Sequence, residues 1–267
     1  MGLACSGTGA KKRSVAQCLL SYKGEKMFRQ LIEQSSPAED PQSAALRVAE
    51  LLRARRPLPD DHFDRFLPQQ LRLASATYWT PLEVVARAAA WLDDAGIRSV
   101  VDIGSGAGKF CVAGALAGKC RFTGLEQRPR LVVAGRHLAR QFGVQDRVQF
   151  VHGVFGEVPT PPAEAYYFFN SFGENLFEQD DRLDDEAELS GERYQRDIEL
   201  AVAFLRSAPI GTYVLTYNGF GGRLPRDYEE LRIDRQLPNT LRLSRKVSKR
   251  APPTRVDDSR ERCECNQ

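Results

Sequence analysis

Val100-Val101-Asp102-Ile103-Gly104-Ser105-Gly106-Ala107-Gly108-Lys109-Phe110 decides how the rest of the chain is read. Strand-forming residues with an acid at Asp102 lead into three glycines at alternating positions, and residues 110–116 follow as a buried apolar helix. A strand that ends in such a turn and re-enters as a helix lets a ligand approach the backbone where no Cβ intervenes. A phosphate-cradling P-loop would need glycine where Ile103 stands and Ser or Thr where Phe110 stands, so it is excluded. A dinucleotide fingerprint places glycines at its first, third and sixth positions. Gly104 and Gly106 fit, but Lys109 holds the sixth place, which disfavours a nicotinamide-dependent oxidoreductase. What remains is an acid, one residue and then G-x-G-x-G over 102–108. The alternative is an ordinary strand-to-helix turn that binds nothing.

Working outward, Arg121-Phe122-Thr123-Gly124-Leu125-Glu126 is a second strand that ends on an acid. A carboxylate at that place accepts two hydrogen bonds from a ribose diol in dinucleotide folds. Pro129 starts the next helix, 129–142, so Glu126 sits on the intervening loop, where its other role would be to cap that helix. Upstream, Tyr78-Trp79-Thr80-Pro81 reads as a helix entry with Thr80 as N-cap, Pro81 at the first helical position and Glu83 as capping-box acid. That entry leaves the two consecutive aromatics unexplained. Downstream, 148–151 is a third strand, and 166–169 a fourth, apolar throughout as a strand buried on both faces should be. The fourth runs into Asn170-Ser171-Phe172-Gly173-Glu174-Asn175. Ligands in open parallel sheets sit outside the carboxyl ends of the strands, so this loop points where the glycine turn points. An Asn carbonyl can orient a nucleophile and Glu174 can take a proton; Asn170 and Gly173 as plain turn formers are the alternative. Residues 178–188 hold seven acids against one Arg, a solvated insert. A helix over 191–207, a strand over 212–216, the loop Tyr217-Asn218-Gly219-Phe220-Gly221-Gly222 and a closing antiparallel pair within 231–247 complete the pattern.

The 267 residues are 42% hydrophobic and 27% charged, the balance of a soluble globular chain. A net charge of +3 does not indicate nucleic acid. No run of about 18 apolar residues marks a membrane span. Six scattered cysteines suit a reducing, cytoplasmic setting rather than a disulfide framework, and Cys263 with Cys265 lacks partners for a metal. Met1-Gly2-Leu3-Ala4-Cys5-Ser6 formally matches an acylation pattern, yet the expectation for 1–14 is an unanchored, disordered leader. A helical extension broken by Pro57, Pro59 and Pro68 is expected over 15–70, the main domain over 71–247 and a disordered polar tail over 248–267.

Taken in order, the strings beginning at Tyr78 (aromatic-W-T-P), Asp102 (D-I-G-S-G-x-G-K-F), Gly124 (G-x-E-Q-R), Phe168 (F-F-N-x-F-x-E-N) and Thr216 (T-Y-x-G-F-G-G) resemble the class I S-adenosylmethionine-dependent methyltransferases. The likeness is to functionally unassigned bacterial members and covers 71–246. It implies an α/β, Rossmann-like, seven-stranded and mostly parallel sheet with helices on both faces, preceded by the helical extension. It also implies S-adenosyl-L-methionine as cofactor. Tyr78, Thr80, Asp102, Gly104, Ser105, Gly106, Gly108, Glu126, Gln127 and Gly153 would bind it, and Asn170, Phe172 and Glu174 would frame the transfer site. The acceptor would be a protein side-chain nitrogen or a small molecule. The chain departs from the family's pattern twice. Val154 stands where a polar residue holds the adenine amino group, and Ser171 where amino-methylating enzymes carry proline. A binding module that keeps the fold without catalysis accommodates both departures.

Overall fold

A computed structural model describes residues 40–247. The chain divides at Ala44/Ala45, and the second unit carries everything that follows except the first four residues of the first helix. The expectations for the leader, the tail and Cys263 with Cys265 fall outside the described residues.

Seven strands form one sheet: β1 (Ser99–Ile103), β2 (Arg121–Glu126), β3 (Val148–His152), β4 (Ala165–Phe169), β5 (Tyr213–Tyr217), β6 (Tyr228–Asp234) and β7 (Leu241–Lys246), in the order β3-β2-β1-β4-β5-β7-β6. The first five run parallel, while β7 is antiparallel to both β5 and β6. Helix α1 (Pro41–Arg53) is followed by α2 (Asp60–Asp64), α3 (Gln69–Tyr78) and α4 (Leu82–Asp94), with α5 (Lys109–Ala117), α6 (Pro129–Gln141) and α7 (Gly191–Ser207) as crossovers. The domain boundary expected at Leu71 therefore falls inside α3.

Two apolar layers cover the sheet, as parallel strands require. Val100, Phe122, Phe150, Tyr167 and Leu215 face one layer with α5. Val101, Ile103, Leu125, Phe168 and Val214 face the other, beneath Ala201 and Leu205 of α7. This two-sided burial is why β4 reads as an uninterrupted apolar run. Helix α5 is buried at every position, including its first residue, Lys109, at 1% exposure.

A buried ammonium needs opposite charge and hydrogen bonds. Lys109 Nζ lies 2.7 Å from Asp60 Oδ1 and 2.8 Å from Asp64 Oδ1, and donates to Ser75 Oγ at 3.1 Å. Burial pushes the Asp64 carboxyl up, and Lys109 pulls it back. Asp60 Oδ1 also accepts from the Leu82 N–H at 2.9 Å, so it caps α4 from a distance. This corrects the expected N-cap. Pro81 is the cap residue and offers no side-chain bond, while the Thr80 hydroxyl pairs with Tyr167 Oη at 2.7 Å inside the core.

Lys109→Met should leave Asp64 buried without its cation and destabilise the protein by about 3–5 kcal/mol. Urea unfolding should show the loss, and adding Asp64→Leu should restore most of it, since an apolar replacement removes both charges together.

Candidate active site

A cavity of about 260 Å³ opens at the carboxyl ends of the parallel strands. Its floor is the β1–α5 turn, with Gly104 and Gly106, and the end of β2, with Leu125, Glu126 and Gln127. Gly153, Val154 and Phe155 wall it beyond β3. Phe169, Asn170 and Phe172 do so beyond β4, and Asn218 and Asn239 at the far side. Tyr78 and Trp79 come from the end of α3, Arg193 and Asp197 from α7.

The floor is organised by one carboxylate. Glu126, 5% exposed, accepts from the Gly106 N–H at Oε2 and from the Arg128 N–H at Oε1, both at 2.9 Å. Burial raises its pKa, against the pull of these two N–H groups and the Arg128 charge. Gly106 has φ +55°, and a Cβ there would stand 2.1 Å from the indole Nε1 of Trp79. Trp79 thus lies over the glycine turn, which accounts for the second aromatic before the helix entry.

The structure separates the expected cofactor residues. Tyr78, Gly104, Gly106, Glu126, Gln127 and Gly153 line the cavity, whereas Thr80, Asp102, Ser105 and Gly108 are not on its wall. Gly108, with φ +78°, is glycine because the Phe150 ring packs against it; a Cβ would stand 2.3 Å from that ring. Ser105 is 4% exposed and packs against Gly124, its hydroxyl without a hydrogen-bond partner. Asp102 points into the layer beneath α5, where Oδ2 accepts from Cys111 Sγ at 3.5 Å. Burial drives its pKa up to about 7; the thiol lowers it and the Glu126 charge raises it.

Of the expected transfer residues, Asn170 and Phe172 line the cavity. Asn170 has φ +44°, its N–H donating to the Gly219 carbonyl at 2.8 Å, which ties the β4 loop to the β5 loop. Glu174 also reaches the cavity, but it is not a free base. Its Oε1 accepts from Arg128 Nη2 at 2.8 Å and from the Leu183 N–H at 2.9 Å. The phenol of Tyr78 donates to the Asp181 carbonyl and is pushed up to about 12, by burial first and then by the Glu174 charge.

The acidic insert is solvated over most of its length, as expected, and is pinned at Asp184. Asp184 pairs with Arg128 Nε at 2.8 Å and with Arg130, which also reaches Glu186 at 3.1 Å. Burial raises the Asp184 carboxyl, but hydrogen bonds from Arg130 and Arg128 outweigh it and hold it below the usual range. Arg128, Arg193 and Asp197 were not among the expected site residues. The signal for Asp197 is its place one turn before Ala201 and two before Leu205, an acid on the buried stripe of α7.

Among the described residues no group of three or more His, Cys, Asp or Glu is placed to hold a metal ion. Among them, too, no helix is long and apolar enough to cross a membrane.

Neither a family model nor a curated protein matches the chain. Solved structures do. An RNA methyltransferase from Salinibacter ruber in complex with S-adenosyl-L-homocysteine is 21% identical, with 65% of this chain and 96% of that one covered and a TM-score of 0.46. An O-methyltransferase family 2 protein from Planctomyces limnophilus in complex with apigenin is 18% identical, covering 69% and 62%, with a TM-score of 0.47. The cyclase SpnF is 20% identical, covering 49% and 44%, with a TM-score of 0.36. The seven-stranded, mostly parallel sheet with an antiparallel β7, and the glycine turn that meets an acid at the end of β2, are the α/β, Rossmann-like arrangement expected from the sequence.

The buried Asp102 carboxyl couples stability to pH. The folded state holds a proton that the unfolded state has released, so stability is full below the unfolded pKa of 3.8 and falls as pH rises towards about 7. Asp102→Asn should remove this slope. Denaturant unfolding from pH 4 to 8 should show the variant gaining on the native protein as pH rises.

Proposed function

We propose that the protein is an S-adenosylmethionine-dependent methyltransferase whose acceptor atom is a nitrogen. The observation that carries the reading is the joining of Glu126 to the Gly106 N–H at the floor of a cavity. The residues present fit the cofactor. Gly104 and Gly106 line the cavity without a side chain, and each Glu126 oxygen keeps a lone pair beyond its single backbone bond. Gly104 and Gly106 would lie along the methionine part, and Glu126 would hold the ribose diol. When bound, the cofactor supplies an electrophilic methyl group on a sulfonium.

The chain's own residues orient and exclude. Phe169 and Phe172 give the transfer end an apolar wall, and Asn170 stands between them with its backbone fixed by Gly219. In-line displacement needs a lone pair held on the methyl axis, and the side-chain carbonyl of Asn170, a residue of the cavity wall, would take an N–H of the acceptor. Glu174 serves as an anchor for Arg128 rather than as a proton acceptor. With Tyr78 held protonated as well, the transfer end suits a nucleophile that already carries a free lone pair at neutral pH, such as the unprotonated nitrogen of an imidazole, whose other nitrogen carries the N–H. A protein side chain and a small molecule both meet that requirement.

Calorimetric titration with S-adenosylhomocysteine, NADH and ATP tests the reading. S-Adenosylhomocysteine alone should bind. Glu126→Ala should weaken it by about 10- to 100-fold, the worth of hydrogen bonds to a charged group. Absence of binding by the intact protein would sink the proposal and leave the turn as scaffold.

A further inference from the structure

Residues 177–189, between the β4 loop and α7, hold one short helical turn, Gln179–Asp181, and otherwise no regular structure. The segment has two sides. Phe177, Leu183 and Leu189 line the cavity, facing a wall that includes Tyr78, Gln127 and Arg128. Glu178, Asp180, Asp181, Asp185, Glu186 and Glu188 are exposed. A segment that turns apolar residues onto a cavity and acids to water is a cover for that cavity.

The backbone of this cover is tied to itself. The Asp181 N–H donates to the Glu178 carbonyl at 3.0 Å and the Arg182 N–H to that of Gln179 at 3.3 Å, while Arg182 Nε reaches the Phe177 carbonyl at 3.1 Å. Its polar ties to the elements around the cavity are made by side chains. Tyr78 donates to the Asp181 carbonyl and Arg193 to the Glu188 carbonyl. At Asp184 two guanidinium groups converge, Arg128 with Nε at 2.8 Å and Arg130 from one turn further on. Arg128 belongs to the cavity floor through its own N–H, which Glu126 accepts. Asp184 and Arg130 stand off the cavity wall, so their pairing can hold the cover down without meeting a ligand. A strand in a sheet is released only with its ladder, whereas a segment held by a few side chains opens locally, at a fraction of the cost of unfolding.

We propose that residues 177–189 are a lid over the cofactor cavity, latched by Asp184 to Arg128 and Arg130, and that the lid must open for the cofactor to enter or leave. Shut, it places Phe177, Leu183 and Leu189 between the ligand and water. A latch of this kind governs the rate of ligand exchange. The proposal rests on the cofactor reading above.

The test is stopped-flow mixing with S-adenosylhomocysteine, read by the fluorescence of Trp79 at the glycine turn, on the native protein, Asp184→Asn and Arg130→Gln. Association and dissociation rates should both rise about 10-fold in each variant, the worth of a hydrogen bond between charged groups. The affinity should hold, because the latch is made in the shut protein with and without ligand. A segment that only shapes the wall would change the affinity through dissociation and leave association as it was; that result in both variants would overturn the lid. The native protein gives a second reading that needs no variant to fold. Trypsin should cut after Arg182, inside the lid, and saturating S-adenosylhomocysteine should slow that cut at least about 10-fold. Equal cutting with and without the ligand would overturn the lid as well. Either failure leaves S-adenosylhomocysteine binding, and with it the cofactor reading, intact. Absence of that binding in the native protein would be a failure of the cofactor reading itself.

Discussion

The site depends on the burial of one carboxylate between two loops. Glu126 is withdrawn from water, and the cost is offset by backbone N–H groups from the turn after β1 and the turn after β2. Those bonds set how far apart the two turns stand, and the cavity floor is the space they define. Gly104 and Gly106 fit because nothing projects from the backbone at that level, and Trp79 fills the space a side chain would take. The Phe150 ring lies against Gly108, Gly124 and Gly135, fastening α5 and α6 to the sheet around the same turn.

Arg128 extends this order outward. Its backbone serves Glu126, while its side chain joins Glu174 of the β4 loop to Asp184 of the acidic insert. One residue therefore couples the cavity floor, the β4 loop and the segment beyond it. Its charges are largely shielded from solvent, so the coupling is far less sensitive to salt than a surface pair would be.

Backbone-level features were the ones legible in the sequence. The strand with bounds 121–126, the helix with bounds 191–207 and the doubly buried fourth strand follow from periodicity and punctuation, which are local. The closing antiparallel pair was legible too, although β6 begins three residues before the expected 231. Side-chain roles set by distant partners were not. Thr80 looks like a cap, but Asp60 reaches Leu82 from 22 residues upstream and frees the hydroxyl for Tyr167. Asp102 and Gly108 belong to the motif by spacing, yet strand alternation turns Asp102 away from the cavity and Phe150 claims Gly108. Glu174 was a plausible base until the fold brought Arg128 to it from 46 positions away. The acid run 178–188 is solvated as it reads, but the tethering of Asp184 was not legible, since the arginines that hold it stand at 128 and 130.

Lys109 bears on how such a chain could diversify. The residue is sealed by carboxylates that α2 supplies and by a hydroxyl from α3, so motif and extension fit as lock and key. Recombination that replaced the segment before Trp79 with one from another lineage would bury a bare cation under the glycine turn unless the newcomer carried matching acids. The two parts are therefore bound to be inherited together, and the lysine in the motif foretells the acids that must precede it.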